Sequence, residues 1–138
     1  MRDSDPCPCG GGAYGQCCGP YLSGAAHAPT AEALMRSRFT AYSRGEYAYL
    51  SATGPGLTDP ASIERSSAGM RWTRLQVLRT EAGGPDDDTG VVEFVAHARR
   101  VGRPHRLHEV SRFERRNGRW RYIEGQVKAA GRRRSRRK

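Results

Sequence analysis

The sequence predicts an α+β fold in which helices pack into a curled antiparallel sheet, preceded by a small zinc knuckle. Three observations carry that expectation. All four cysteines fall between residues 7 and 18, helical periodicity is confined to residues 30–67, and everything after Met70 reads as strands separated by turn signals. With 138 residues, the chain has the size of one domain and no room for a second full core.

The cysteines stand as Cys7-Pro8-Cys9 and Cys17-Cys18, joined by a loop holding Gly10, Gly11, Gly12 and Gly15. Four soft thiolates suit a tetrahedral metal ion, and glycines allow the tight turns that wrapping one requires. The segment has almost no apolar side chains, so a metal would supply its folding free energy. Two disulfides or a redox pair are the alternatives. A reducing compartment disfavours the first, and a bond between the adjacent Cys17 and Cys18 would be strained. If Cys7, Cys9, Cys17 and Cys18 all bind a structural zinc ion, no position stays open for water or substrate. His27, nine residues past Cys18, reads as an ordinary surface histidine.

Thr30 is placed to cap a helix whose first turn carries Glu32, with Met35, Phe39 and Tyr42 forming its apolar stripe and Gly45 its stop. Tyr47 and Leu50 mark a second short helix running to Thr53. Asp59-Pro60 caps a third over Pro60–Ser67. Strands follow at Trp72–Thr80, Val91–Val101, Arg106–Arg115 and Trp120–Glu124. The acidic Asp86-Asp87-Asp88 lacks the alternating ligands of a calcium loop and reads as a hairpin tip. Asn117-Gly118 is a two-residue hairpin signal, and Arg103-Pro104 is the expected turn before it.

Counting back from those turns places Phe113 opposite Tyr122, Ser111 opposite Glu124, Phe94 opposite Phe113 and Ala98 opposite Glu109. Glu109, Ser111 and Glu124 then share the core side with Phe94, Trp120 and Tyr122. Carboxylates there need partners, and Arg36 or Arg38 of the first helix is the natural one. His108 falls on the opposite side with Val110.

Cys7-Pro8-Cys9-Gly10 followed by Gln16-Cys17-Cys18-Gly19 resembles the SEC-C zinc motif, the module at the C-terminus of the SecA translocation ATPase. The continuation Gly19-Pro20-Tyr21-Leu22-Ser23-Gly24 and the helix Ala31-Glu32-Ala33-Leu34-Met35-Arg36-Ser37-Arg38-Phe39 are similar to the bacterial YchJ-like family. So are Val92-Glu93-Phe94, His108-Glu109 and Gly118-Arg119-Trp120-Arg121-Tyr122. The resemblance covers residues 6–125. It implies a zinc knuckle over residues 1–24 and a nuclear-transport-factor-like cone over 25–126, the fold shared with ketosteroid isomerase, leaving 127–138 as a disordered basic tail. Two departures stand out. The family's Gly-Ser-Gly-Lys loop is one residue shorter here and lacks the lysine, and its Thr-Trp is Thr53-Gly54, which reads as a looser loop at the cone mouth.

Two readings compete for the core-side polar cluster. Glu109, Ser111, Glu124, Arg36 and Arg38 could line a pocket in which Glu109 acts as acid or base. Alternatively, Glu109 forms a buried salt bridge fixing helix to sheet. The structural reading is preferred, because no second catalytic partner stands at a known spacing. No catalytic residue is assigned, and the sequence leaves the enzyme question open while favouring a non-enzymatic role.

The net charge is +10, of which Arg132, Arg133, Arg134, Arg136, Arg137 and Lys138 supply six, leaving +4 for residues 1–130. Such a tail binds nucleic acid nonspecifically and in a salt-dependent manner. No run approaches the roughly 18 apolar residues of a membrane span, and Met1–Pro6 shows no apolar signal segment, so a cytoplasmic protein without a membrane partner is expected. The face carrying Val91, Glu93, Val95 and His97 suits a homodimer and would equally suit a solvated edge. The expected role is an adaptor: the knuckle presents Tyr14 and Tyr21 to a protein or ribosome-associated partner, translocation chaperones included by the SEC-C resemblance. The alternative is a small-ligand-binding protein or enzyme that uses the cone pocket.

Overall fold

In the computed structural model, residues 1–56 and 58–128 are described. A 3-10 turn (Tyr14–Gln16) and a short helix α1 (Gly19–Ser23) complete the cysteine segment. Then come α2 (Ala31–Arg44), α3 (Tyr47–Ala52), α4 (Pro60–Ser66) and four strands, β1 (Met70–Ala82), β2 (Thr89–Arg100), β3 (Arg103–Arg116) and β4 (Arg119–Val127). The strands form one antiparallel meander in the order β1-β2-β3-β4. Among the described residues, no helix is long and apolar enough to cross a membrane.

Local chemistry accounts for the element ends. The Thr30 hydroxyl accepts the Ala33 amide at 3.0 Å, and Gly45 closes α2 in the left-handed region that glycine tolerates. Asp59 caps α4 ahead of Pro60. Asn117 and Gly118 both take positive φ, as a two-residue primed hairpin demands, and Arg116 pairs Arg119 across them. The acidic triplet lies in the β1–β2 connection, as expected.

Two register features depart from the sequence count. The β2–β3 turn is Val101-Gly102, both at positive φ, so Pro104 lies within β3 opposite Arg99. Phe94 therefore meets Glu109 instead of Phe113, and Ala98 meets His105 instead of Glu109. The displacement is even, so Glu109 stays on the inner face. A bulge at Ile123 is an odd displacement and has the opposite effect. Phe113 still pairs Tyr122, but beyond the bulge Arg112 pairs Glu124 and Ser111 pairs Gly125. Glu124 consequently leaves the core side.

The sheet wraps α2, burying Leu34, Met35 and Phe39 against Val92, Phe94, Ala96, Phe113 and Trp120. The Trp120 indole N–H donates to the Pro29 carbonyl at 3.1 Å, pinning the approach to α2. Cys7, Cys9, Cys18 and Tyr14 belong to this same buried cluster. The Thr53-Gly54 segment is clamped, not loose: the Tyr122 amide donates to the Thr53 carbonyl at 2.8 Å, and Arg121 donates to the carbonyl of buried Gly54. β4 runs to Val127, and the Lys128 amide donates to the His108 carbonyl, so paired structure extends two residues into the segment expected to be tail. The arginine cluster itself lies outside the described residues.

At the corner where α2 meets β1 and β2, backbones approach closely. The Ala31 amide donates to the Gly83 carbonyl at 2.9 Å, and a Cβ on Gly90 would stand 2.6 Å from the Gly83 Cα. Gly90→Ala is expected to destabilise the protein by about 1–3 kcal/mol in denaturant unfolding, as overpacking does. Gly56→Ala, which points into open space, serves as the near-neutral control.

Candidate metal centre and cone cavity

The two cysteine pairs reach one point by different routes. Cys7 and Cys9 flank a tight turn in which the Gly10 amide donates to the Cys7 carbonyl and the Cys7 amide to the Gly12 carbonyl. Gly10 and Gly12 adopt φ of 85° and 124°, which other residues take only with strain. Cys17 and Cys18 sit at the junction of the 3-10 turn and α1. The four sulfurs lie within 4.8 Å of one another, with Cys9–Cys17, Cys9–Cys18 and Cys17–Cys18 at 3.4, 3.7 and 3.9 Å. A tetrahedral thiolate cage with metal–sulfur bonds of about 2.3 Å has edges of about 3.8 Å, so the donor set fits a metal ion. Gly11 is part of the fit, since a Cβ there would stand 2.9 Å from the Cys17 sulfur and 3.3 Å from that of Cys9.

Hydrogen bonding from Cys18 holds the Cys9 thiol down to about 5 despite burial, and the Gly11 amide adds to the effect. Burial pushes Cys17 up to about 12, and donating to Cys9 pushes Cys18 up as well. One thiolate is thus shared by its neighbours. Four together require a cation. Arg36, expected at the cone cluster, instead donates to the Cys9 carbonyl at 3.0 Å and pairs with Glu32. Thr40 of α2 contacts the Cys7 sulfur at 3.6 Å. His27 is exposed and outside the cluster.

On the other side of α2 is a cavity of about 480 Å³, lined by Arg38, Trp72, Glu109 and Tyr122 among others. Among the described residues, Glu109 does not form the expected salt bridge. Its carboxylate accepts from the Ser111 hydroxyl and, at 3.2 Å, from the Tyr122 phenol. Gly125 lies beneath it, where any Cβ would collide with the Glu109 carboxyl. Arg38 is 8% exposed, donates to the Leu50 carbonyl and the Thr53 hydroxyl, and stacks over the Tyr122 ring at 4.9 Å. Glu124, like Arg36, is a member of the expected cluster that the structure places elsewhere: it is exposed and pairs with Arg112, because the Ile123 bulge flips it outward. Sequence reasoning treated Tyr122 as core packing alone. Its parity with Glu109 was the available signal for the phenol's role.

On the outer face, His108 bonds Glu93 at 2.7 Å, Arg79 pairs with the same carboxylate, and His97 meets Gln76 at 3.0 Å. The His108 and Arg79 bonds hold the Glu93 carboxyl below its ordinary value. Val95 on this face is 1% exposed.

A family model described as the YchJ middle NTF2-like domain matches residues 30–125. A UPF0225 protein of Methylibium petroleiphilum is 48% identical over 122 residues, covering 88% of both chains. The chain belongs to the YchJ-like family. Two solved structures similar to this YchJ-like chain are described as SEC-C motif containing proteins. One, from Rhodopseudomonas palustris, has a TM-score of 0.80 and 35% identity, covering 88% of this chain and 98% of that one. The other, from Psychrobacter arcticus, has a TM-score of 0.76 and 25% identity, covering 94% and 87%. The YchJ-like match takes in the cone and its cavity, while the cysteines precede it.

Two expectations follow for the cavity cluster. Glu109→Ala strands the Ser111 and Tyr122 hydroxyls and should cost about 1–3 kcal/mol in denaturant melts, whereas Glu124→Ala should cost under about 1 kcal/mol. Burial, reinforced by Glu109, pushes the Tyr122 phenol up from 10.0 to about 12. A raised folded value contributes stability below pH 10 that is lost as pH rises toward 12. The unfolding midpoint should therefore fall across that window, and fall less in Tyr122→Phe.

Proposed function

We propose that Cys7, Cys9, Cys17 and Cys18 hold a structural zinc ion and that the knuckle folded around it docks a protein or ribosome-associated partner. The observation supporting this is the closed thiolate cage, three of whose sulfurs belong to buried residues, with the linking loop facing outward. Zinc bound by four thiolates cross-links chain and has no open position for substrate, so its contribution is to fold the segment. The docking face differs from the expected pair of tyrosines. Tyr14 is 8% exposed and lies under the Arg44 guanidinium at 4.9 Å, and Tyr21 is half-buried. The exposed backbone of Gly10–Gly12, with Gln16 beside it, is what remains to be recognised. The likeness to SEC-C motif proteins supports reading the cysteine segment as a knuckle of that kind. The basic tail adds salt-dependent attraction to nucleic acid.

A second reading rests on the cavity: Glu109 faces it, held by two hydroxyl donors, and would act there as acid or base. It expects Glu109→Gln to keep the fold and abolish turnover or ligand binding.

Elemental analysis should find one zinc per chain. Removing it with a chelator should lower the melting temperature of the whole domain in a single transition, because the ligands sit in the shared core. A nuclease-treated pull-down then tests the docking role, comparing zinc-loaded and chelated wild type with Cys17→Ala/Cys18→Ala. A partner retained by the zinc form and lost by both others supports it, and binding indifferent to the metal contradicts it.

A further inference from the structure

The cone cavity is unused by the zinc-centred function, and its chemistry is selective. At about 480 Å³ it has room for one or two fused rings. One wall is aromatic: Trp72 meets Phe39 at 6.2 Å and Tyr42 at 6.1 Å between ring centroids. The Trp72 indole N–H is a buried side-chain donor without a hydrogen-bond partner among the described residues, so this wall is incompletely satisfied by the protein alone.

Arg38 supplies the polar end. Its two protein hydrogen bonds both leave from Nη1, at 2.9 Å to the Leu50 carbonyl and 2.8 Å to the Thr53 hydroxyl. Tyr122 beneath the guanidinium fixes its plane. The Nε and Nη2 donors have no partner among the described residues, and no carboxylate there forms an ion pair with Arg38. Those two parallel N–H groups are the edge that grips a carboxylate with both oxygens. Glu109 acts on this guanidinium only through space, without contact, so the buried charge is incompletely compensated and an anion arriving from solvent at the open edge would relieve that cost. Arg100 and His105 at the same cavity add basic groups, whereas Glu109 is its single carboxylate, already accepting from Ser111 and Tyr122.

We infer that this cavity binds a small planar aromatic carboxylate, with the carboxylate on the Nε/Nη2 edge of Arg38 and the ring against the Trp72 wall. Glu109 is not the anchor of this ligand. It borders the carboxylate subsite and tolerates a hydrogen-bond donor beside the acid group. The inference is independent of the docking role of the knuckle, and it opposes the acid–base reading on one point. Glu109→Gln should preserve or strengthen binding here, because a neighbouring negative charge is removed.

The test is isothermal titration of the full zinc-loaded chain with benzoate, cinnamate and 2-naphthoate, each against its neutral carboxamide. Saturable one-to-one binding of at least one acid is expected, with its amide weaker by roughly tenfold or more. Arg38→Lys, which keeps the charge and loses the fork, should weaken the acid by a similar factor. Because Arg38 also ties α2 to Leu50 and Thr53, the cavity-filling variants Leu107→Trp and Ser67→Trp are measured beside it. Whichever keeps the wild-type far-ultraviolet circular dichroism and a cooperative melt should abolish binding. Absence of saturable binding by all three acids, equal binding of acid and amide, or undiminished binding in a folded cavity-filled variant would overturn the inference.

Discussion

Residues 7–18 contain four cysteines and little else that could bury apolar surface, and yet they adopt a defined path. Convergence of four sulfurs on one point is the constraint that makes this possible. It requires positive φ at Gly10 and Gly12, an absent side chain at Gly11, and a 3-10 turn that delivers Cys17 and Cys18 together. The cluster is also not peripheral. Arg36 reaches back to the Cys9 carbonyl and Thr40 touches the Cys7 sulfur, so α2 carries the knuckle on one side and the sheet on the other. Two arginines on one helix, separated by Ser37, thereby divide their work, Arg36 serving the cysteine segment and Arg38 the cone.

The cone depends on a second chain of contacts. Arg38 ties α2 to the end of α3, Thr53 receives the Tyr122 amide, and Tyr122 reaches across to Glu109. Ala96 lines the cavity with a small side chain, and Gly125 leaves the room that the Glu109 carboxyl occupies at its edge. Gly54 fits this frame: its carbonyl holds Arg121, and a Cβ there would press on the Leu50 carbonyl at 3.1 Å. The residue that looked like a loosened loop is a tight crossing between α3 and β4.

Elements governed by local chemistry were legible in the sequence. The Thr30 cap, the Gly45 stop, the Asn117-Gly118 hairpin and the clustered cysteines each act over a few residues and need no knowledge of the rest. Side-chain placement on the strands was legible only as far as parity survived. The Val101-Gly102 turn moved the pairing by an even step and left Glu109 inside, whereas the single extra residue at Ile123 sent Glu124 to the surface. The one local signal near Ile123 is Gly125, since glycine inside a strand often marks a bulge, but it does not say which residue is the extra one. The separate destinations of Arg36 and Arg38 were equally hidden, as each depends on what packs against α2 from a distant part of the chain.

The central claim is that a metal-bound cysteine cluster and the cone fold as one unit through α2. Native-state hydrogen exchange of α2 amides, with and without metal, tests it most directly. Loss of protection through Leu34–Ala41 on metal removal, in step with residues 7–18, is the predicted result. Exchange that rises only in residues 7–24 while α2 keeps its full protection would contradict it.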